Sequence, residues 1–179
     1  MNLSRIMNID PDSNYLDQLT ENLFSEQGGY FTIEEFNSTY NQNFSILHMN
    51  VRSFFKNIDS FSSLLHSLKF LPEVIVLSET WLTPLNQDTA NIEGYNSCHL
   101  TRSNRDGGGI SVFIKDALRF SKLDSICFLS EDVEICAVEI ELGSKILSLF
   151  GIYRPPAGAY TPFLDKLEQY FTSAAFLTF

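Results

Sequence analysis

The run Val74-Ile-Val-Leu77 constrains this chain more than any other stretch. Four consecutive apolar residues cannot alternate between a core and solvent, so they describe a strand covered on both faces. Glu79 follows almost at once, which places a carboxylate just past the end of that strand. Upstream, Phe44-Ser-Ile-Leu-His-Met49 is short, apolar and compatible with a second buried strand. Between the two, Phe54, Phe55, Ile58, Phe61, Leu64, Leu65 and Leu68 fall at helical spacing. Ser53 reads as the N-cap of that helix, and Pro72 ends it. The spacing predicts a helix over 54–70 and a strand–helix–strand opening, the βαβ-like start of an α/β chain.

The pattern turns β-rich from Tyr95 onward. After a polar loop over 83–94, strands are predicted over 95–101, 109–114, 132–141 and 145–153. Leu142-Gly143-Ser144-Lys145 reads as the hairpin turn between the last two. Glu134, Glu139 and Glu141 alternate loosely with Val133, Ile135, Ala137, Val138 and Ile140, and are predicted to face solvent. Thr161-Pro162 looks like an N-cap followed by proline at the first helical position. Phe163, Leu164, Leu167, Tyr170 and Phe171 then line one face of a helix running to about residue 171. The apolar tail Ala174–Phe179 ends abruptly.

Residues 1–43 differ in character. They are rich in Asn, Asp and Glu, with weak helical spacing at Leu16, Leu19, Leu23 and Phe24 that Gly28-Gly29 breaks. They read as a loosely ordered acidic leader before a single domain over 44–179. With 179 residues there is enough chain for one domain with a core. No apolar run approaches the ~20 residues of a membrane-spanning helix, and the start lacks a secretory h-region. An intracellular location, nuclear or cytoplasmic, with no membrane partner, is the expectation. Cys98, Cys127 and Cys136 are not at metal-ligand spacings and read as buried thiols. His48, His66 and His99 form no metal-spacing pair either, and nucleophilic Ser/His or Cys/His catalysis has no local signature.

The net charge of -10 argues against tight, nonspecific binding to a duplex. Much of it sits in 1–43, which hold one basic and seven acidic residues, against eleven basic and fifteen acidic in 44–179. That milder excess still permits nucleic-acid binding where cations gather at one edge and a divalent metal adds positive charge.

Three polar residues stand at the ends of apolar strands: Asn50, Glu79 and Tyr153. Where helices cover a sheet, ligands bind outside the strand ends. A carboxylate there suits a hard cation such as Mg2+, an amide can orient it, and a phenolic hydroxyl can hydrogen-bond a phosphate as charge develops. Taken alone, each of these is more often a capping or turn residue. Arg52, Arg102, Arg105 and Arg154 lie near strand ends or loops and either contact phosphate or are simply solvated. Asp106-Gly107-Gly108-Gly109 is not a phosphate-binding Walker loop, since no Gly-Lys-Ser/Thr follows, and reads as a tight turn.

Taken in order, four strings resemble one family. They are His48-Met-Asn50-Val-Arg52-Ser53, Leu77-Ser-Glu79-Thr-Trp81-Leu82, Arg105-Asp-Gly-Gly-Gly109-Ile-Ser-Val and Ile152-Tyr153-Arg154-Pro155-Pro156. They are similar to the motifs of the apurinic-endonuclease-like endonuclease domains of non-LTR retrotransposons, within the endonuclease/exonuclease/phosphatase superfamily. The resemblance spans about 44–171. It implies a four-layer α/β/β/α sandwich and hydrolysis of a DNA phosphodiester with Mg2+, or Mn2+ in its place. It further implies that Glu79 and Asn50 serve the metal, that Asn50 and Tyr153 serve the scissile phosphate, and that Arg52 and Arg154 contact the substrate backbone.

Members of that family continue to a Gly-Asp-x-Asn motif and a Ser-Asp-His motif, and neither string occurs here. The resemblance therefore implies a partial sandwich whose C-terminal strands are missing, and little activity from this chain alone. Two further readings stay open. One is a non-catalytic remnant that acts at most as a binding or interaction module. The other is a different superfamily phosphatase, which Trp81 and the Tyr153-Arg-Pro-Pro156 string disfavour.

Overall fold

The computed structural model describes residues 6–8, 32–39, 44–103 and 107–172. The elements are β1 (Ile6–Asn8), α1 (Ile33–Thr39), β2 (Ile46–Asn50), α2 (Phe54–Ser67), β3 (Val74–Ser78), β4 (Tyr95–Leu100), β5 (Ile110–Lys115), β6 (Phe120–Lys122), β7 (Phe128–Leu129), β8 (Glu134–Leu142), β9 (Lys145–Tyr153) and α3 (Tyr160–Thr172). The first sheet has the order β1-β2-β3-β5-β4, parallel from β1 to β3 and antiparallel from β3 to β4. The second is built on β8, which pairs antiparallel with β9 along its length and with the short β6 and β7.

The apolar run at 74–77 is continuous because β3 is buried on both faces. Ile75 and Leu77 join Leu47, Phe113 and the buried face of α2, formed by Phe54, Phe61 and Leu65. Val74 and Val76 face the other way, joining Val112 and Ile114 of β5 against Cys136, Val138 and Ile140 of β8. Burying a side chain of this kind contributes about 1.5–3 kcal/mol. These two apolar layers join helix to sheet and sheet to sheet. The outer face of the second sheet carries α3, where the Tyr170 hydroxyl donates to the Ile126 carbonyl at 2.8 Å and Lys166 Nζ lies 3.9 Å above the Phe128 ring. The order is thus helix, sheet, sheet, helix.

Several boundaries differ from the sequence expectation. Helix α2 stops at Ser67, because Asn37 of α1 takes over its C-terminal groups. The Asn37 amide donates to the Ser67 carbonyl at 2.8 Å, and its oxygen accepts the Lys69 N–H at 2.7 Å. Ser53 does stand at the N-cap, but its hydroxyl makes no capping bond. Helix α3 begins at Tyr160, so Thr161-Pro162 falls inside its first turn. Glu134 corrects the expectation of a solvent-facing acid: it is 0% exposed, whereas Glu141 does face solvent. The spacing at Leu16–Phe24, the Gly28-Gly29 break, Arg105 and Asp106 of the glycine string, and the 174–179 tail lie outside the described residues. Among the described residues, no helix is long and apolar enough to cross a membrane.

Candidate functional site

The parallel strands β2 and β3 end side by side, with Asn50 paired to Ser78. Beyond them the two chains stay locked together: the N–H groups of Val51, Ser53 and Phe54 donate to the carbonyls of Ser78, Glu79 and Thr80 at 2.8–3.0 Å. This crossing demands unusual backbone geometry. Arg52, Ser53, Glu79 and Trp81 all have positive φ, at 42°, 87°, 52° and 56°. Such conformations cost on the order of 1–3 kcal/mol each for residues with a Cβ, and they persist only where the surroundings over-determine them. Four of them converge on one sheet rim.

The side chains at that rim meet on a single oxygen. The Asn50 amide donates to Glu79 Oε1 at 2.8 Å, and the Tyr153 hydroxyl donates to the same atom at 2.5 Å. The Asn50 oxygen accepts the Arg52 N–H at 3.2 Å, which fixes the orientation of the amide. Tyr153 arrives from the second sheet. It can do so because β9 comes very close to the first sheet at Gly151, where an added Cβ would stand 3.0 Å from both Ile110 Cγ2 and Val76 Cγ1. Tyr153, two residues on, projects from the same face of β9 into the inter-sheet layer.

Burial, and then the hydrogen bond to Glu79, push the Tyr153 ionisation well above the ordinary phenol value, so it remains a donor at neutral pH. Glu79 is only 14% exposed, and its Oε2 meets Arg52 Nε at 4.0 Å. The Arg52 side chain is itself 79% exposed. Arg154 turns elsewhere, donating to the carbonyls of Pro155 and Gly158. The structure thus brings Asn50, Glu79 and Tyr153 into direct contact, sets Arg52 at their edge, and commits Arg154 to its own loop.

A second polar group lies beneath the rim. Arg102 and Glu134 form a buried ion pair, and Glu134 Oε2 accepts the Gly109 N–H at 2.6 Å. Glu134 also stands opposite Tyr153 in the β8–β9 ladder. Sequence reading missed this pair, because a single Glu in an otherwise apolar strand looks the same whether it is solvated or buried against a distant Arg.

The donor set fits a hard divalent cation through its oxygens: the Glu79 carboxylate and the Asn50 carbonyl oxygen, with the Tyr153 hydroxyl beside them at the rim. Among the described residues, no group of three or more His, Cys, Asp or Glu could hold a metal ion by itself. Mg2+ usually keeps several waters and needs only one or two carboxylates.

Neither a protein-family model nor a curated protein matches this chain. Among solved structures, it is similar to the AP endonuclease LMAP from Leishmania major, with a TM-score of 0.49 and 19% identity over 70% of this chain and 44% of that one. It is similar to the endonuclease domain of TRAS1, a telomere-specific non-LTR retrotransposon, with a TM-score of 0.47 and 11% identity over 69% and 52%. It is also similar to the 3′ phosphatase NExo from Neisseria bound to product DNA hairpin, with a TM-score of 0.45 and 15% identity over 70% and 48%. The chain spans about half the length of these structures.

Proposed function

We propose that this chain carries the metal- and phosphate-gripping part of a DNA endonuclease domain of the non-LTR retrotransposon kind, and that these 179 residues alone nick DNA negligibly. The observation that carries this reading is the meeting of the Asn50 amide and the Tyr153 hydroxyl on Glu79 Oε1. Three motifs far apart in sequence supply one residue each to that contact.

In this reading Glu79 holds Mg2+, or Mn2+ in its place, with Asn50 beside it. The cation, when bound, supplies positive charge that neutralises and polarises a phosphate. The protein does the rest. Asn50 keeps the Glu79 carboxylate in one orientation. Tyr153 holds a proton at its hydroxyl and can turn it toward a phosphoryl oxygen as negative charge grows there. Arg52, exposed at the rim, contacts the DNA backbone, with Arg154 at the neighbouring loop. The Glu79 carboxylate is hydrogen-bonded by Asn50 and Tyr153, neither of which is a general base at neutral pH. An attacking water is therefore not deprotonated by these partners, a loss that commonly costs on the order of 10²–10⁴-fold.

Two measurements test the proposal. Nicking of supercoiled plasmid with Mg2+ is expected to stay at the level of the protein-free control, while Mn2+ binds the chain and binding is lost in Glu79→Gln. Robust nicking that Glu79→Ala abolishes would overturn the inactivity. Mn2+ binding that ignores Glu79 would overturn the metal role.

A further inference from the structure

The Glu79 side chain can point in one direction only if its strained backbone is held, and the groups that hold it lie outside the metal chemistry. Glu79 and Trp81 both have positive φ. The residues after Glu79 are tied to the glycine turn: Thr80 and Trp81 donate their N–H groups to the carbonyls of Gly109 and Gly108, at 3.2 Å and 2.9 Å. That turn is itself pinned from below, because the Gly109 N–H donates to Glu134 Oε2 at 2.6 Å. Glu134 is gripped by Arg102, whose Nε donates to Oε1 at 2.5 Å while Nη2 also reaches the Ser130 carbonyl at 3.1 Å. The packing leaves no space for a Cβ at Gly108, since it would run into both the Glu134 carboxylate and Arg102.

An unbroken set of contacts therefore runs from Arg102 through Glu134 and Gly109 to Thr80, the residue after Glu79. Glu134 acts on the other partner too, because it is the ladder neighbour of Tyr153. Stability alone gives little reason for this arrangement. A buried ion pair is often matched or exceeded by apolar residues of similar volume.

We propose that the Arg102–Glu134 pair is a positioning element: it holds the Gly108–Gly109 turn against Thr80-Trp81 and so fixes the direction in which Glu79 presents its carboxylate to a divalent cation. This rests on the reading of Glu79 as a cation ligand. Supporting residues of this kind typically change metal affinity by about 10–100-fold.

The test is a Mn2+ titration of the 179-residue chain, read by the electron paramagnetic resonance of free Mn2+, with thermal unfolding by circular dichroism alongside. The double variant Arg102→Met/Glu134→Met removes both charges together, so no unpaired ion is left buried, and deletes the acceptor for the Gly109 N–H. Arg102→Met/Glu134→Gln is also neutral but restores an oxygen at that place. The expected result is Mn2+ affinity about 10-fold weaker in the Met/Met variant and mostly recovered in the Met/Gln variant, at matched melting temperatures.

Wild-type affinity in the folded Met/Met variant, together with binding lost in Glu79→Gln, overturns the positioning role while leaving the Glu79 reading intact. Binding that survives Glu79→Gln, or no binding by wild type, overturns both. If the Met/Met variant does not fold, Arg102→Lys decides. It keeps the charge pair but loses the forked grip on Glu134 and Ser130, and affinity is expected to fall several-fold with cooperative unfolding retained. Unchanged affinity in Arg102→Lys overturns the proposal.

Discussion

The Tyr153 hydroxyl donates to Glu79 Oε1 at 2.5 Å and joins strands 74 positions apart in sequence. The Asn50 amide loads the same oxygen. Glu79 is therefore asymmetric: Oε1 carries two donors, while Oε2 faces outward toward Arg52. Internal bonds on Oε1 orient the carboxylate and leave Oε2 with Arg52 Nε as its neighbour.

Removing the hydroxyl in Tyr153→Phe should cost about 1.5 kcal/mol, as expected for a hydrogen bond to a charged group. The more informative measurement is a double-mutant cycle with Glu79→Gln, followed by urea unfolding. Direct contact predicts a coupling of about 1 kcal/mol, whereas independent sites add within about 0.5 kcal/mol. Additive behaviour would mean that the bond does not form in solution.

Gly151→Ala tests how the two sheets bring Tyr153 to Glu79. The new methyl would meet Ile110 and Val76 at 3.0 Å, in a layer where both partners are buried. Overpacking of this kind typically costs about 1–3 kcal/mol. The same change at Gly143 has open space around it and only its positive φ to oppose it. Thermal unfolding should rank Gly151→Ala as the more damaging, and the reverse order would argue against close sheet contact at β9.

Much of this architecture was legible because burial leaves marks in sequence. The continuous run of β3, the buried face of α2 formed by Phe54, Phe61 and Leu65, and the Gly143 hairpin each follow from a single local rule. The convergence of the rim residues was legible for a different reason: Asn50 and Tyr153 end their strands and Glu79 follows directly on β3, and strand ends of covered sheets share a rim. Other features could not be read locally. The burial of Glu134 depends on Arg102, 32 positions away. The short β6 and β7 exist only as partners of β8. Helix α1 did carry a signal, since Thr32 and Glu35 form a reciprocal capping box in which the Thr32 N–H donates to Glu35 Oε2 and the Glu35 N–H donates to Thr32 Oγ1. The acidic composition around it masked that signature.

The pH dependence of stability should carry the mark of His99. Its ring lies between two hydroxyls, Ser111 at 2.8 Å and Ser97 at 3.1 Å, and burial pulls its pKa down to about 4, assisted by Lys122 and opposed by Asp88. The unfolded chain therefore binds a proton at higher pH than the folded one does. Stability from this group is full above about pH 6.5, the unfolded value, and is lost as pH falls toward 4. In His99→Gln, the fall in urea midpoint between pH 6.5 and 4.5 should be shallower than in wild type. An identical slope would show that His99 does not stay neutral in the fold.

The three cysteines should differ sharply in reactivity although all are free. Cys127 precedes β7, and its sulfur accepts the Ala137 N–H at 3.4 Å. A hydrogen bond from Cys136, that backbone N–H and the nearby Lys122 together outweigh burial, and hold the Cys127 thiol below the ordinary thiol range. Cys136, fully buried and on the other side of the same bond, is pushed far up. Cys127 therefore reaches the thiolate, the nucleophilic form, more readily than Cys136, which stays protonated and shielded. Limited iodoacetamide treatment at pH 7, mapped by peptide mass spectrometry, should label Cys127 first. Its rate should level off at a lower pH than that of an ordinary thiol, which climbs through the range near about 8.5. Because the low value depends on the Cys136 thiol, Cys136→Ala should move that profile to higher pH even though it leaves Cys127 in place. A Cys127 profile unchanged by Cys136→Ala would mean that the two sulfurs are not in contact, and that the inter-sheet packing around β8 differs from the arrangement described.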